Sequence, residues 1–239
     1  MSNHQVLNNA DHRDLRVLLE PSAERGDAVM GTLVTPIEFR RVQAEYPIVF
    51  RKNQEDESFT ALALFGFENG ENLFLKDGKW DARYRPLSLA IQPFLIGRTQ
   101  NGEGVGQVHI DMDHPRVSKN GEGTRVFDED GGTTPFLEDI AGMLGELDQG
   151  HRDSAGFFDA LKRHELLEPF SLEVPLSDGS KHSLVGFHIV NESRLQSLDG
   201  DALADLHGSG HLMPVFMALA SLSHFSELVE RKDAKVRNG

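Results

Sequence analysis

The period of the hydrophobic positions changes about halfway along the chain. Two apolar runs, YPIVF (46–50) and TALALFGF (60–67), flank the charged stretch KNQEDES, which is the pattern of a hairpin with a solvated loop. QVHIDMD (107–113) alternates: Val108, Ile110 and Met112 share one face, and His109, Asp111 and Asp113 the other. Further strands are expected at residues 15–19 (LRVLL) and at TRVF (124–127) before the DEDGG turn, and a strand or extended turn around Asp77-Gly78 of ENLFLKDGKW (71–80); PLSLAIQPFLIG (86–97) is apolar and bounded by prolines. A helix starts at Thr35, with Pro36 at the first helical position and Glu38 completing a capping box. It carries Ile37, Phe39 and Val42 and stops before Pro47.

The second half has a longer period. Helices are expected from residue 134 to about 147, and again from Asp153 or Ser154, where Phe157, Phe158, Leu161 and Leu166 form a stripe. FSLEVPL (170–176) and HSLVGFHIV (182–190) form a second hairpin around an Asp-Gly turn. Short helices at SRLQSL and ALADLHGSG follow, then an amphipathic helix over about 212–231. The pattern predicts an α+β fold, with a mostly antiparallel sheet in the first half and helices packed on it. A shift of 120 residues places Phe50 on Phe170, Leu64 on Leu184, Gly66 on Gly186, Phe67 on Phe187 and Leu75 on Leu195. Such an echo leaves open an internal duplication of a helix–hairpin unit. The expected organisation is one domain over residues 15–231, with sub-units at about 30–132 and 133–231, between flexible ends at 1–14 and 232–239.

Charge narrows the function classes. With 24 Lys+Arg against 38 Asp+Glu the formal net charge is −14, which repels nucleic acid, because phosphate binding needs clustered cations. There is no cysteine, so disulfides, thiolate nucleophiles and zinc fingers are excluded. The first residues, MSNHQVLNNADHRDL, lack a signal-peptide pattern, and the apolar run 212–222 is short and interrupted by Pro214. The expectation is a cytoplasmic protein without a transmembrane segment, homo-oligomerisation being open.

The candidate chemistry is sparse. A strand-borne His109-x-Asp111 pair with a distant histidine is the ligand pattern of iron oxygenases with a facial triad; His188, His182, His207 or His211 could complete it, and Arg194 could pair an oxoacid carboxylate. The same residues equally describe a strand with one wet face, so no metal or cofactor is favoured. FDEDGG (127–132) carries only a fragment of a calcium loop and reads as a turn. HGSGH (207–211) spaces two histidines by four but puts glycines between them. No GxSxG elbow or phosphate-binding loop occurs, and the Gly-rich GEGVGQ (102–107) precedes a strand instead of following one. KWDARYRP (79–86) gathers Trp80, Arg83, Tyr84 and Arg85, an aromatic–arginine set of the kind that anchors interfaces. It is the candidate binding surface, although Trp80 and Tyr84 could simply cover a core edge.

In their order and spacing, YPIVF, ALALFGFENGENLFL (61–75), GKWDARYRP (78–86) with QPF (92–94), VFDEDG (126–131), LVGFHIVNESRLQSL (184–198) and LMPVFMALASLSHFSEL (212–228) resemble the bacterial SapC family. The similarity spans about residues 30–229, and neither His109 nor His114 belongs to its pattern. The resemblance implies no catalytic residue. It implies a genomic setting beside TonB-dependent receptors and tryptophan-halogenase-like flavoproteins, and, through the family name, an association with a surface layer. The chain departs from a surface-layer protein in its shortness and its lack of a signal peptide. The expectation is a non-enzymatic accessory protein with a protein partner, a halogenase-like flavoprotein or an uptake-system component. The metal-dependent oxygenase and the surface-layer subunit are the alternatives.

Overall fold

In the computed structural model, which describes residues 3–97 and 106–238, the chain runs through twelve strands and seven α-helices. In order these are β1 (His4–Val6), β2 (Arg16–Val17), β3 (Gly31–Val34), α1 (Phe39–Val42), β4 (Ile48–Lys52), β5 (Phe59–Leu64), β6 (Leu75–Lys76), β7 (Lys79–Trp80), α2 (Leu87–Ala90), β8 (Phe94–Gly97), β9 (Gln107–Asp111) and β10 (Thr124–Arg125). After them come α3 (Pro135–Arg163), β11 (Leu167–Pro175), β12 (Lys181–Val190), α4 (Glu192–Gln196), α5 (Gly200–Gly208), α6 (Leu212–Ser221) and α7 (His224–Asn238). The fold is α+β with antiparallel pairing throughout.

The central sheet has the order β11-β12-β4-β5-β3. Its two hairpins, β4–β5 and β11–β12, meet where Phe50 of β4 pairs with His188 of β12, so the two helix–hairpin segments lie side by side in one sheet. Both sheet edges are blunted. On β3 the Ser88 hydroxyl of α2 donates to the Leu33 carbonyl (2.8 Å), while β11 carries Pro169 and Pro175. A smaller sheet, β1-β9-β8, places Ile110 inward, fully buried, with Val108 and Met112 beside it, as the alternation requires.

Burial divides into two cores. The larger holds Phe39, Tyr46, Ile48, Phe50, Leu64, Phe65 and Phe157; the smaller holds Val17, Ile91, Phe94, Ile110, Val126 and Ile140. Helix α3 serves both: Leu137, Ile140 and Leu144 face the smaller core, and Phe157, Ala160 and Leu161 the larger. Its 29 residues span about 43 Å at 1.5 Å each.

Four expectations are corrected. The two helices expected on either side of residue 150 are one, because Gly150 admits the close approach of Thr35 and Ile37: a Cβ there would lie 2.4 Å from Thr35 Oγ1 and 2.8 Å from Ile37 Cγ2. The helix expected at Thr35 is a 3-10 turn (Pro36–Glu38) running into α1; the capping box is present as read. The polar start is tied down from residue 4, since β1 pairs with β9 and His12 is buried. At the other end α7 continues to Asn238, because Lys232 and Lys235 meet Glu71. Residues 1–2, residue 239, and all of GEGVGQ but Gly106 and Gln107 lie outside the described residues.

The late apolar stretch also differs from expectation. Residues 212–237 are helical over a length and hydropathy (mean 1.4) sufficient to cross a membrane, and 22% of that window is buried. Pro214 does not break it, because it lies in the first turn of α6, where its missing N–H has no partner to lose. The stretch is nevertheless docked on the domain. The Ser221 hydroxyl accepts from the Ile48 amide (2.9 Å), Val215 and Leu228 are fully buried, and Lys232 is ion-paired inside.

Candidate functional site

The segment 79–86 sits where the sequence pointed, against the main core. The β6–β7 hairpin turns at Asp77 and Gly78, both at positive φ, which delivers Trp80 inward. The indole N–H donates to Tyr46 Oη (2.8 Å), and the ring stands edge-on to Phe65 at 5.3 Å. Tyr46 in turn donates to the Tyr84 carbonyl and lies between Phe65 and Phe74, at 5.1 and 4.8 Å. Tyr84 donates to Glu38 Oε1 (2.7 Å), an oxygen that also accepts the Leu87 amide (2.9 Å). Glu38 is fully buried, and its other oxygen accepts from the Thr35 amide (3.3 Å). Burial raises the Tyr46 phenol far above its ordinary range; burial and then the Glu38 charge do the same for Tyr84.

Arg85 leads to a second knot. Its Nη2 donates to Asp27 Oδ1 at 2.5 Å, and its guanidinium lies 5.6 Å from the Trp80 ring centroid. Arg116 donates to the other oxygen, Oδ2, also at 2.5 Å, and through Nη1 to the Leu18 and Leu19 carbonyls (2.9 and 3.3 Å). The Ser22 amide adds a bond to Oδ2 at 2.7 Å. Asp27 and Arg116 are buried, so one carboxylate faces two guanidinium groups away from water. Arg85 Nε, Arg116 Nε and Gln92 Oε1 are buried without a hydrogen-bond partner among the described residues. His114 accepts the Arg116 amide on Nδ1 (3.2 Å), and burial followed by the Arg116 charge lowers its pKa.

Three members of the candidate set, Trp80, Tyr84 and Arg85, therefore face inward and share this polar belt. Arg83 alone projects outward, its side chain 96% exposed and 3.9 Å from Glu45. The metal candidates are not brought together. His109 and Asp111 lie on β9 of the small sheet, where the His109 ring covers Gly97 and Asp111 Oδ1 accepts the Asn3 and Asp113 amides. His188 belongs to the central sheet, edge-on to Phe59 at 5.1 Å, with Nδ1 buried and without a hydrogen-bond partner among the described residues. His182 contacts Glu68 (3.2 Å), His211 packs edge-on to Phe157, and Arg194 bonds the His164 carbonyl (3.0 Å). Among the described residues no three His, Asp or Glu side chains are grouped to hold a metal. Asp128 closes its own turn by accepting the Asp130 and Gly132 amides.

Five buried charged positions had escaped the sequence reading of chemistry. Asp27 and Arg116 carry no local signal. Glu38 showed only its capping role. Lys232 and Glu71 meet at 2.8 Å, with Glu68 and Lys235 beside them; Glu71 lay in the expected strand or extended turn 71–80 and Lys232 in the end expected to be flexible.

No curated protein and no solved structure matches the chain. A family model, SapC, matches residues 7–228. That match takes in both cores, the Trp80–Tyr84 belt and the Asp27 knot, and with nearly the whole chain inside it the protein belongs to the SapC family.

Proposed function

We propose that the protein acts by binding another macromolecule, as a non-enzymatic accessory protein, with helix α6 as its contact surface. One observation carries this reading. Val215 and Ala218 of α6 are buried, while Met213 and Phe216, on the opposite side of the helix, are 57% and 48% exposed. Leu203 of the preceding α5 is exposed as well. Adjacent large apolar side chains left in water mark interaction surfaces. The acid, base and aromatic groups that might suggest catalysis are instead engaged inside, Glu38 by Tyr84 and Asp27 by two arginines.

In this reading the chain acts in the cytoplasm. Its partner is a halogenase-like flavoprotein or a component of a TonB-dependent uptake system, as the family setting implies. The test is co-purification of the tagged chain with the products of neighbouring genes. The wild type is expected to retain one of these two classes, and the double variant Met213→Ser, Phe216→Ser to lose it. Retention of neither by the wild type would remove the reading.

A further inference from the structure

A cavity of about 320 Å³ opens between α3 and the central sheet, on elements other than the α6 face. Its origin can be read from the register. Strand β3 ends at Val34 opposite Ala61, because Thr35 caps the next turn and takes the chain away. Strand β5 begins two residues earlier, at Phe59, so Phe59 and Thr60 pair with β4 but have no β3 partner. Helix α3 closely approaches the turn after β3 at Gly150, against Thr35 and Ile37, and its next turns roof the uncovered edge with Phe158 and Lys162.

The lining is mostly apolar, with Val34, Phe59, Ala61 and Phe158 as walls. The volume lies at the lower end of the ~300–1,000 Å³ typical of small-molecule sites. Lys162 lines the mouth with its Nζ 5.8 Å from the Phe59 ring centroid, and its charge also acts on the exposed Asp56 and Glu57 carboxylates of the β4–β5 loop. Asp159 and His151 belong to the same lining, and Lys162 lies over the Phe59 ring.

We propose that this cavity binds a small amphipathic carboxylate. The hydrocarbon or aromatic body lies between Phe59 and Phe158, and the carboxylate pairs with Lys162. An apolar slot with a cation beside its aromatic wall suits an anionic head group on an apolar body, and the Asp159 carboxylate on the same lining makes the comparison with a cationic head group the deciding one.

Titration calorimetry of the full chain with octanoate, octanol and octylamine separates tail from head group. Octanoate is expected to bind most tightly and octylamine least. Lys162→Gln should weaken octanoate about fivefold, as for an exposed ion pair, while leaving octanol unchanged. Ala155→Trp, on the exposed side of the cavity's helical wall, should block all three without unfolding the chain. Absence of octanoate binding to the wild type, octanoate affinity unchanged in either variant, or tighter binding of octylamine than of octanoate would each overturn the proposal.

Discussion

Asp27 and Arg116 meet at 2.5 Å although 89 positions separate them in the chain. Arg116 follows β9 of the small sheet and contacts the strand-end carbonyls of 18 and 19, whereas the same carboxylate is held from the main-core side by Arg85. The pair therefore pins the smaller core to the larger one. Asp27→Asn would leave the buried Arg116 and the half-buried Arg85 guanidinium groups without their counter-charge. Breaking a buried pair from one side is expected to cost about 3–5 kcal/mol, read as a lower midpoint in urea unfolding. A loss below about 1 kcal/mol would show that the knot does not join the cores.

The chain has two tyrosines, and both donate inside the belt. Their folded pKa values are raised above the ordinary value of 10.0, so the stability they contribute is complete below that pH and is lost as pH rises past it. Tyrosinate absorbance should stay absent through pH 10 in the folded protein and appear for both residues together on alkaline unfolding. A phenolate titrating near pH 10 with the fold intact would contradict the belt.

Two glycines of α3 should respond with opposite signs. At Gly145 a Cβ meets nothing within 4 Å, so Gly145→Ala is expected to stabilise the helix by roughly 0.5–1 kcal/mol. At Gly150 the same change drives a methyl into Thr35 and should destabilise by about 1–3 kcal/mol. Thermal unfolding of the two variants against the wild type measures both effects.

The Glu71–Lys232 pair sets an acid limb. Burial opposes ionisation of Glu71, but Lys232, the Phe67 amide and Lys235 outweigh it and hold its pKa below the ordinary 4.5. Its contribution is thus present above that pH and lost as pH falls through the lowered value. Glu71→Gln should cost about 1–3 kcal/mol at neutral pH. The gap to the wild type should narrow as the solution is acidified below pH 4.5.

Much of the fold was legible because it rests on local periods. The alternation of 107–113 placed Ile110 inward, the capping box at Thr35 formed, and the Asp-Gly turns joined the expected hairpins. What was not legible depends on long-range packing. Gly150, in the stretch left between the two expected helices, is a contact point for Thr35, and Pro214 starts a helix instead of interrupting one. Arg116 could not be recognised as buried, because its counter-charge lies far away at Asp27 in a stretch with no hydrophobic pattern. The Trp80–Tyr84–Arg85 cluster was visible as a set of residue types, but its inward orientation is fixed by Tyr46, Glu38 and Asp27.

The binding role proposed for α6 is tested most directly by titrating a purified halogenase-like flavoprotein and a purified component of a TonB-dependent uptake system into the wild type and into the Met213→Ser, Phe216→Ser variant. The account predicts saturable binding of one of them to the wild type and at least a tenfold weaker affinity, about 1.4 kcal/mol, for the variant with unchanged thermal stability. Equal affinity for both forms, or no binding of either component to the wild type, would contradict it.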